Sequence, residues 1–571
     1  MLFFDYEVFK EDWLVVILDM VKKKEHIIIN DPEKLEKFHE ENRNEIWVGY
    51  NNNHYDQYIH KAILCGFDPK RVNDYIIEKG NPGWKFSSLF RKIKMINYDV
   101  MKFGDGGLKT LEGYMGNDIR ESTVPFDIDR KLTEEEIEET IKYCRHDVQQ
   151  TVEVFLERKS EFEASRQLIK IFDLPITSFS KTKAQLVSEI LGGMKKKFNE
   201  NEFDFPIVTA VEKYLKKYRY VLDWYRNPEN MKYKDGTKLH QLETTVAGVP
   251  HVFGWGGLHG AKEKSTEQGW LLNIDVEAYY PSTQMEYNFG YRNMGKPENF
   301  EKIHMQNINL KKEGRKVERL PFKIADNSIS GQLKDKNSKL YDPLMNNAVC
   351  VNGQLMLLLL IEMVEEHVEL LQSNTDGILV KLRNYDDYEL IDDIVHQWEQ
   401  MTGMVMEFEE FERLFQKDVN NYILVDAEGN VKTKGGYVKK LSRIDYNLPI
   451  INKALIEYMV NDTPVEKTIN ECDDLIEFQL VAKISGKYSH LLHGEKELNE
   501  RCVRIFASNR KTDGGLRKVH KITKTAAKFP NSPLSCFTFN DNMDGVKTPS
   551  YLDRKFYIDM TNKRLRDFGV I

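Results

Sequence analysis

The sequence predicts a mixed α/β protein built from several domains, and three observations carry that expectation. The chain has 571 residues, enough for more than one hydrophobic core. It is 41% hydrophobic and 11% aromatic, richer in core-forming residues than a disordered chain. Strand-like and helix-like patterns alternate along it, with no internal repeat and no low-complexity linker.

Taken in order, Leu2 to Val16 is rich in aromatic and β-branched residues and reads as a strand or hairpin. Ile46 to Tyr50 reads as a second strand. Leu132 to Arg158 reads as a charged helix, with Thr133 as cap and Glu136 three residues on, as in a capping box. Residues 160–250 give a weak, Lys-rich helical pattern, broken by the glycines of Val252 to Ala261. A strand is expected over Trp270 to Val276. Asn288 to Arg319 is polar and basic. Pro321 suits the first turn of a helix running through Gly331, and a further helix is expected over Asn347 to Leu371. A short strand pair surrounds Asn374 to Gly377. The last 130 or so residues are mixed and Lys-rich.

The formal charge is −8, which makes no case for nucleic acid as partner by itself; binding depends on local patches, and carboxylate clusters that hold cations push the sum negative. Six cysteines are scattered without a C-x-x-C pair, which excludes a zinc ribbon or a redox motif and fits a reducing cytosol. No signal peptide is visible, and the longest apolar stretch of note, Leu355 to Ile361, is too short to span a bilayer. A soluble cytoplasmic protein that does not engage a membrane is expected.

Two constellations carry chemistry. In the first, Phe4-Asp5-Tyr6-Glu7-Val8 puts two carboxylates on one face of a strand. Asp56 follows the strand at Ile46, after Gly49-Tyr-Asn-Asn52-Asn-His-Tyr. Tyr143 and Asp147 stand four apart on one face of the expected helix. Two Mg²⁺ ions about 3.5–4 Å apart need several carboxylates, one of them bridging, and a tyrosine beside them can orient water. In the second, an apolar strand delivers Asp275 in Asn273-Ile-Asp-Val-Glu-Ala-Tyr-Tyr280-Pro-Ser282. Lys323, Asn327 and Gly331 then recur at helical spacing, and Ser373-Asn374-Thr-Asp376-Gly377 supplies another carboxylate at a turn.

The first set resembles the three motifs of DEDD-type 3′→5′ exonucleases, Asp-x-Glu, Asn-x-x-(Phe/Tyr)-Asp and Tyr-x-x-x-Asp. The second resembles three motifs of family B DNA polymerases, Asp-x-x-Ser-Leu-Tyr-Pro-Ser, Lys-x-x-x-Asn-Ser-x-Tyr-Gly and Asp-Thr-Asp-Ser. They occur in the family's order from Asp5 to about Tyr422. The resemblance implies an RNase H-like exonuclease domain over 1–160, a linking helical region over 161–250, palm over 251–285, fingers over 286–331, palm again over 332–440, and a thumb, by position, over 441–571. It implies Asp5, Glu7, Asp56 and Asp147 as metal ligands, Tyr143 as water-orienting and Asn52 as a contact of the primer end. It also implies Asp275, the Val276 carbonyl and Asp376 as ligands of the polymerase metals, and Tyr280 beneath the incoming sugar, where its ring excludes a 2′-OH. Lys323 would meet the triphosphate, with Asn327 and Gly331 facing the nascent pair and Tyr422 the template–primer. Mg²⁺, two ions per site, is the implied cofactor, with Mn²⁺ as a substitute.

This sequence departs from the family at Asn374 (a carboxylate there), Gly377 (serine), Ser330 (tyrosine) and Asn420 (lysine, unless Lys417 substitutes). Trp255-Gly-Gly257 matches loosely a Tyr-x-Gly-Gly motif of small phage polymerases. Arg315, Lys316 and Arg319 are further triphosphate candidates, and Lys432, Lys434, Lys439 and Lys440 form a basic stripe suited to duplex phosphates. The gaps from Tyr280 to Lys323 and from Gly331 to Asp376 leave no room for the long insertions of the protein-primed branch. A monomer that extends an ordinary primer with dNTPs is therefore expected, helped by a helicase or single-strand-binding protein, in a host cell's cytoplasm if phage-encoded. The rival reading is a 3′→5′ exonuclease with a decayed polymerase half. A non-catalytic nucleic-acid scaffold would not need two carboxylate sets.

Overall fold

The computed structural model describes residues 1–234 and 238–571. The chain divides into two compact units. The first holds Met1–Thr182, Leu441–Ile451 and Ile469–Ile558; the second holds Lys183–Lys440, Asn452–Thr468 and Asp559–Ile571.

In the first unit, β1 (Leu2–Val8), β2 (Trp13–Asp19) and β3 (Lys24–Ile29) form an antiparallel meander. β4 (Ile46–Gly49) pairs parallel to β1 and β5 (Ile96–Asp99) parallel to β4, in the order β3-β2-β1-β4-β5. Alternation along β1 explains its placement. Leu2, Phe4, Tyr6 and Val8 enter one core with Trp13, Val15, Ile17 and Trp47. Phe3, Asp5 and Glu7 take the other face. Three helices matter to that sheet: α1 (Asp56–Leu64), α2 (Leu108–Met115) and α3 (Glu134–Glu157). α3 begins as expected from sequence: Thr133 caps it, accepting from the Glu136 amide at 3.2 Å, while Glu136 accepts from the Thr133 amide at 2.8 Å. Three glutamates in its first turn suit the positive end of the helix dipole. Phe155 of α3 meets Phe3 edge-on, ring centroids 5.3 Å apart, and so seats the helix over the carboxylate face of β1.

The second unit is built on a nine-stranded sheet. Its strands are β6 (Leu242–Val246), β7 (Val249–Phe253), β8 (His259–Ala261), β9 (Ser265–Val276), β10 (Val368–Asn374), β11 (Gly377–Leu382), β12 (Met406–Asp418), β13 (Asn421–Val425) and β14 (Val431–Lys434). They run in the order β14-β13-β12-β9-β11-β10-β8-β7-β6. Among its helices, four bear on the site described below: α4 (Tyr279–Glu286), α5 (Pro297–Lys312), α6 (Lys316–Lys334) and α7 (Pro343–Val364).

Two helix boundaries differ from the sequence expectation. α6 starts five residues before Pro321, which lies inside it. Proline cannot bond the carbonyl one turn back, but Val317 is 78% exposed, so water can serve that group. α7 starts at Pro343, capped by Asp342 (Met345 amide, 3.3 Å), and stops at Val364; Val368 onward is strand. The Asp-Pro start signal and the alternating Val368 to Asn374 outweigh the apolar continuity that suggested one longer helix. By length and apolarity α7 could cross a membrane, unlike the shorter stretch judged from sequence. Nearly all of its residues are buried at the centre of this unit's core, as expected of a helix apolar all round.

The C-terminal part of the first unit adds β15 (Leu480–Lys483), β16 (Tyr488–His493), β17 (Lys496–Leu498), β18 (Cys502–Ala507), β19 (Leu516–His520), β20 (Ala526–Lys528) and β21 (Cys536–Thr538), in two sheets ordered β15-β18-β21 and β17-β16-β19-β20. Position alone had set 441–571 apart as one region; the contacts divide it between both units. Arg504 shows why. Fully buried on β18, it needs acceptors for its fork of donors and finds the carbonyls of Gly113 at 3.1 Å, Phe539 at 3.3 Å, Asp541 at 2.8 Å and Asn117.

Candidate active sites

The first constellation assembles in the first unit. β1 delivers Asp5 and Glu7, the start of α1 delivers Asp56, and α3 delivers Tyr143 and Asp147. Glu7, Asp56 and Asp147 are each at least nine-tenths buried. Their charges act on one another. Burial first, then Asp56, Glu7 and Asp147, hold the Asp5 carboxyl well above the carboxylate range. Burial, then Asp147, does the same to Glu7. Burial, with Asp99 and Asp147 adding repulsion, pushes Asp56 up to about 7, against the amides of Tyr6, at 3.3 Å, and of Asp56 itself, which donate to its carboxylate. Burial and then Asp147 raise the Tyr143 phenol, which stays protonated.

Sequence reasoning missed several partners here. Lys109 of α2 pairs with Asp147, lies 3.2 Å from Glu112 Oε1 and stands 4.6 Å from the centroid of the Tyr143 ring. Glu112 is fully buried, its Oε2 3.5 Å from His146 Nε2. Asp99 pins the loop before Asp56 by accepting from the amides of Asn51 (2.8 Å), Asn53 (3.0 Å) and Met101 (2.9 Å). The Tyr6 hydroxyl lies 2.8 Å from His60 Nδ1 and His60 Nε2 lies 3.0 Å from His39 Nδ1, a buried chain that braces α1 against β1. None of these has a short-range signature; only folding brings them together. Asn52, expected at the primer end, is turned inward. It is fully buried and donates to Asn97 Oδ1 at 3.0 Å and the Tyr98 carbonyl at 3.2 Å, so it holds β5.

Four carboxylates around one lysine leave an excess of negative charge in a nearly dry place. An all-oxygen donor set of that kind suits a hard divalent cation. Ligand atoms within 4.8 Å of one another form two smaller groups, Asp5 with Glu7 and Cys144, and Asp147 with Glu112 and His146, so a thiol and an imidazole stand beside the carboxylates.

The second constellation assembles at the middle of the nine-stranded sheet. Asp275, one residue before the end of β9, lies directly opposite Gly377, the first residue of β11, and the Val276 amide donates to the Asp376 carbonyl at 2.7 Å. The two carboxylates thus sit side by side although remote in sequence. Burial and then Asp376 raise the Asp275 carboxyl to about 6, against an amide of Asn273 at 2.6 Å. Asp376 is exposed. After Val276 the chain turns through Ala278, held at φ 47° and ψ 50°, a left-handed conformation rare outside glycine. That turn starts α4 and carries Tyr280, half-buried beside Tyr279 and Cys350. Gly257 packs on Thr375: a Cβ there would lie 2.9 Å from Thr375 Cγ2, so the loosely matched Trp255-Gly-Gly segment does reach this turn.

Lys323, Asn327 and Gly331 all lie exposed along one stripe of α6, and a Cβ on Gly331 would meet nothing within 4 Å. Ser330 instead points inward and donates to Gln284 Oε1 at 2.8 Å. Arg319 donates to Asn307 at 2.8 Å and Arg315 pairs with Glu313 and Glu318. Tyr422 is buried among Leu271, Leu379 and Phe411; its ring supports the floor of the site and is not on an open surface. Of the basic stripe, Lys432 pairs with Glu409 close to Asp275; Lys417, the stand-in for the lysine replaced by Asn420, pairs with Asp418. Glu409 also accepts from Asn273 at 3.2 Å, so the site holds a third carboxylate that sequence reading overlooked.

One solved structure to which the chain is similar is that of the family B DNA polymerase from the hyperthermophilic archaeon Pyrobaculum calidifontis. The likeness has 14% identity and a TM-score of 0.42, and covers 100% of this chain and 78% of that one. No protein-family model and no curated protein matches the sequence. At that identity and score residue roles do not transfer.

Proposed function

We propose that this chain is a template-directed DNA polymerase of the family B type that carries a 3′→5′ proofreading exonuclease, serving replication of a phage genome. The observation that carries the reading is the placing of Asp275, near the end of β9, beside Asp376, in the turn that leads into β11, while α6, joined to α4 by the Ser330–Gln284 hydrogen bond, presents Lys323 and Asn327 to solvent. A second, separate set of carboxylates, Asp5, Glu7, Asp56 and Asp147, supports the nuclease half. The strand order β3-β2-β1-β4-β5 supports an RNase H-like assignment for it.

Asp275 and Asp376 would hold the polymerase cations, and the first set the nuclease cations. Mg²⁺, when bound, supplies electrostatic stabilisation of the transferring phosphoryl group and makes a hydroxyl or water a better nucleophile. The chain's own residues do the rest. Lys323 offsets charge on the leaving pyrophosphate. The Tyr280 ring, fixed by Tyr279 and Cys350, closes the space a 2′-OH would need. Gly331 lets the new base pair approach α6. In the nuclease, the protonated Tyr143 phenol can orient water at the terminal phosphate, and Lys109 offsets charge beside Asp147. A mispaired end reaches that site more readily because unpairing it costs least. The partners are a primer–template and dNTPs, with a helicase or single-strand-binding protein as helpers, and the short connections between the polymerase motifs support extension of an ordinary primer by a monomer.

The test is a gel of a 5′-labelled primer–template with Mg²⁺, with and without dNTPs, for wild type, Asp5→Ala and Asp376→Ala. The wild type should degrade without dNTPs and extend with them. Asp5→Ala should lose only degradation, and Asp376→Ala only extension. An Asp5→Ala protein that never extends at any dNTP concentration would replace this reading with that of a nuclease whose polymerase half has decayed, the direction in which Asn374 points.

A further inference from the structure

The C-terminal part of the first unit carries charge of opposite sign to the chain. The protein as a whole is at −8, yet from Gly514 to Asn540 there are five Lys or Arg and no Asp or Glu. These residues lie on β19, β20 and the turn between them. Lys521, Lys524 and Lys528 are exposed and Lys518 is half-buried. Among the described residues no carboxylate pairs with any of the four, although the same sheet pairs Arg517 with Glu495 and His490 with Glu497. Four unpaired ammonium groups on one small sheet are a surface for a polyanion.

The same sheet offers rings and apolar tips. Lys518 Nζ lies 4.7 Å from the ring centroid of Tyr488 and 5.0 Å from that of Phe529, so two half-buried rings share a face with it. Ile522, on the turn, is 85% exposed. A duplex hides its bases and could use only the charges. A single strand can use both, stacking bases on rings while lysines follow its phosphates. The module also adjoins the nuclease carboxylates through α2. Cys502 of β18 donates to the Lys109 carbonyl at 3.5 Å, Arg504 donates to the Gly113 carbonyl at 3.1 Å, and Lys109 pairs with Asp147.

We propose that the β16–β19–β20 sheet is a single-stranded DNA grip of the first unit, holding the strand whose 3′ end the Asp5, Glu7, Asp56 and Asp147 cluster cleaves. The proposal deepens the nuclease half of the function proposed above and rests on it. It assigns the lysines to degradation and not to hold the duplex during synthesis.

The experiment uses the full chain with Lys518, Lys521, Lys524 and Lys528 changed together to Ala, and separately Tyr488→Ala with Phe529→Ala. Binding of a fluorescent oligo(dT) is read in EDTA, where no cleavage occurs. The lysine variant should bind at least about tenfold more weakly at ~0.1 M salt, and its salt dependence should flatten by roughly three in log–log slope, at about 0.7 per phosphate contact. The ring variant should weaken binding with the slope unchanged. With Mg²⁺, the KM for single-strand degradation should rise in both, while cleavage of the small ester thymidine 5′-(p-nitrophenyl phosphate) and binding of primer–template duplex should stay at wild-type level. Unchanged oligo(dT) binding overturns the proposal, as does an equal loss of duplex binding. A wild type that binds oligo(dT) through these lysines yet cleaves nothing upholds the surface and refutes the nuclease reading instead.

Discussion

Gly377 lies directly opposite Asp275 in the β9–β11 ladder, and replacing it tests the polymerase site with one methyl group. A Cβ at Gly377 would stand 2.8 Å from Asp275 Cα, and closer still to its Oδ1 and to the Ile274 carbonyl oxygen. The carboxylate oxygen could swing away, but the other two atoms are backbone, so β9 or β11 itself has to move. Carbon atoms settle at about 3.5–4.0 Å, so the strands must part by roughly 0.7 Å or more at the point where both carboxylates are held. Misplacing reacting groups by ~1 Å costs on the order of a hundredfold. Gly377→Ala should therefore slow dNTP-dependent extension by roughly ten- to a hundredfold and cost about 1–3 kcal/mol of stability in the second unit, as overpacking does. Single-turnover extension and single-strand degradation measured on one preparation separate local from global damage, since degradation belongs to the other unit and should not change. A folded Gly377→Ala protein that extends at the wild-type rate would refute the claim that synthesis depends on Asp275 in this geometry. The same crowding accounts for glycine where the family motif has serine.

Three further outcomes are expected. The folded protein keeps a proton on Asp56 up to about pH 7, which the unfolded chain releases near 3.8, so stability without metal should fall as pH rises from about 4 to about 7; Asp56→Asn should flatten that part of the melting-temperature profile in EDTA, and an unaltered slope would count against the buried cluster. Lys109→Met should destabilise the metal-free first unit by about 3–5 kcal/mol, because it strips the cation from buried Asp147 and Glu112; denaturant unfolding should show Mg²⁺ recovering part of the loss, and an unshifted midpoint would show the pair to be solvated. Tyr280→Ala should raise ribonucleotide insertion relative to deoxynucleotide by about tenfold or more, equal to ~1.4 kcal/mol of lost discrimination; competitive single-nucleotide insertion measures it, and an unchanged ratio would remove Tyr280 from the sugar site.

What the sequence by itself determined was local. Alternation put Asp5 and Glu7 on one face of a strand, the capping box set the start of α3, and helical spacing put Lys323, Asn327 and Gly331 on one stripe, because each of these depends on neighbours within a turn or a pleat. Boundaries were less legible where two local rules competed, as at Pro321 inside α6 and at Val364, where an apolar run passes from helix to strand. Only the tertiary structure decided which distant groups meet. It set Asp376 beside Asp275, Lys109 and Glu112 beside Asp147, Asn52 and Tyr422 in the interior, and the segment Ile469–Ile558 against the N-terminal unit through Arg504. The physical reason is that burial of charge is collective. A buried carboxylate or guanidinium takes its partner from whatever the packed core brings within hydrogen-bond reach, and that choice is made across hundreds of residues without leaving a pattern in any one stretch of chain.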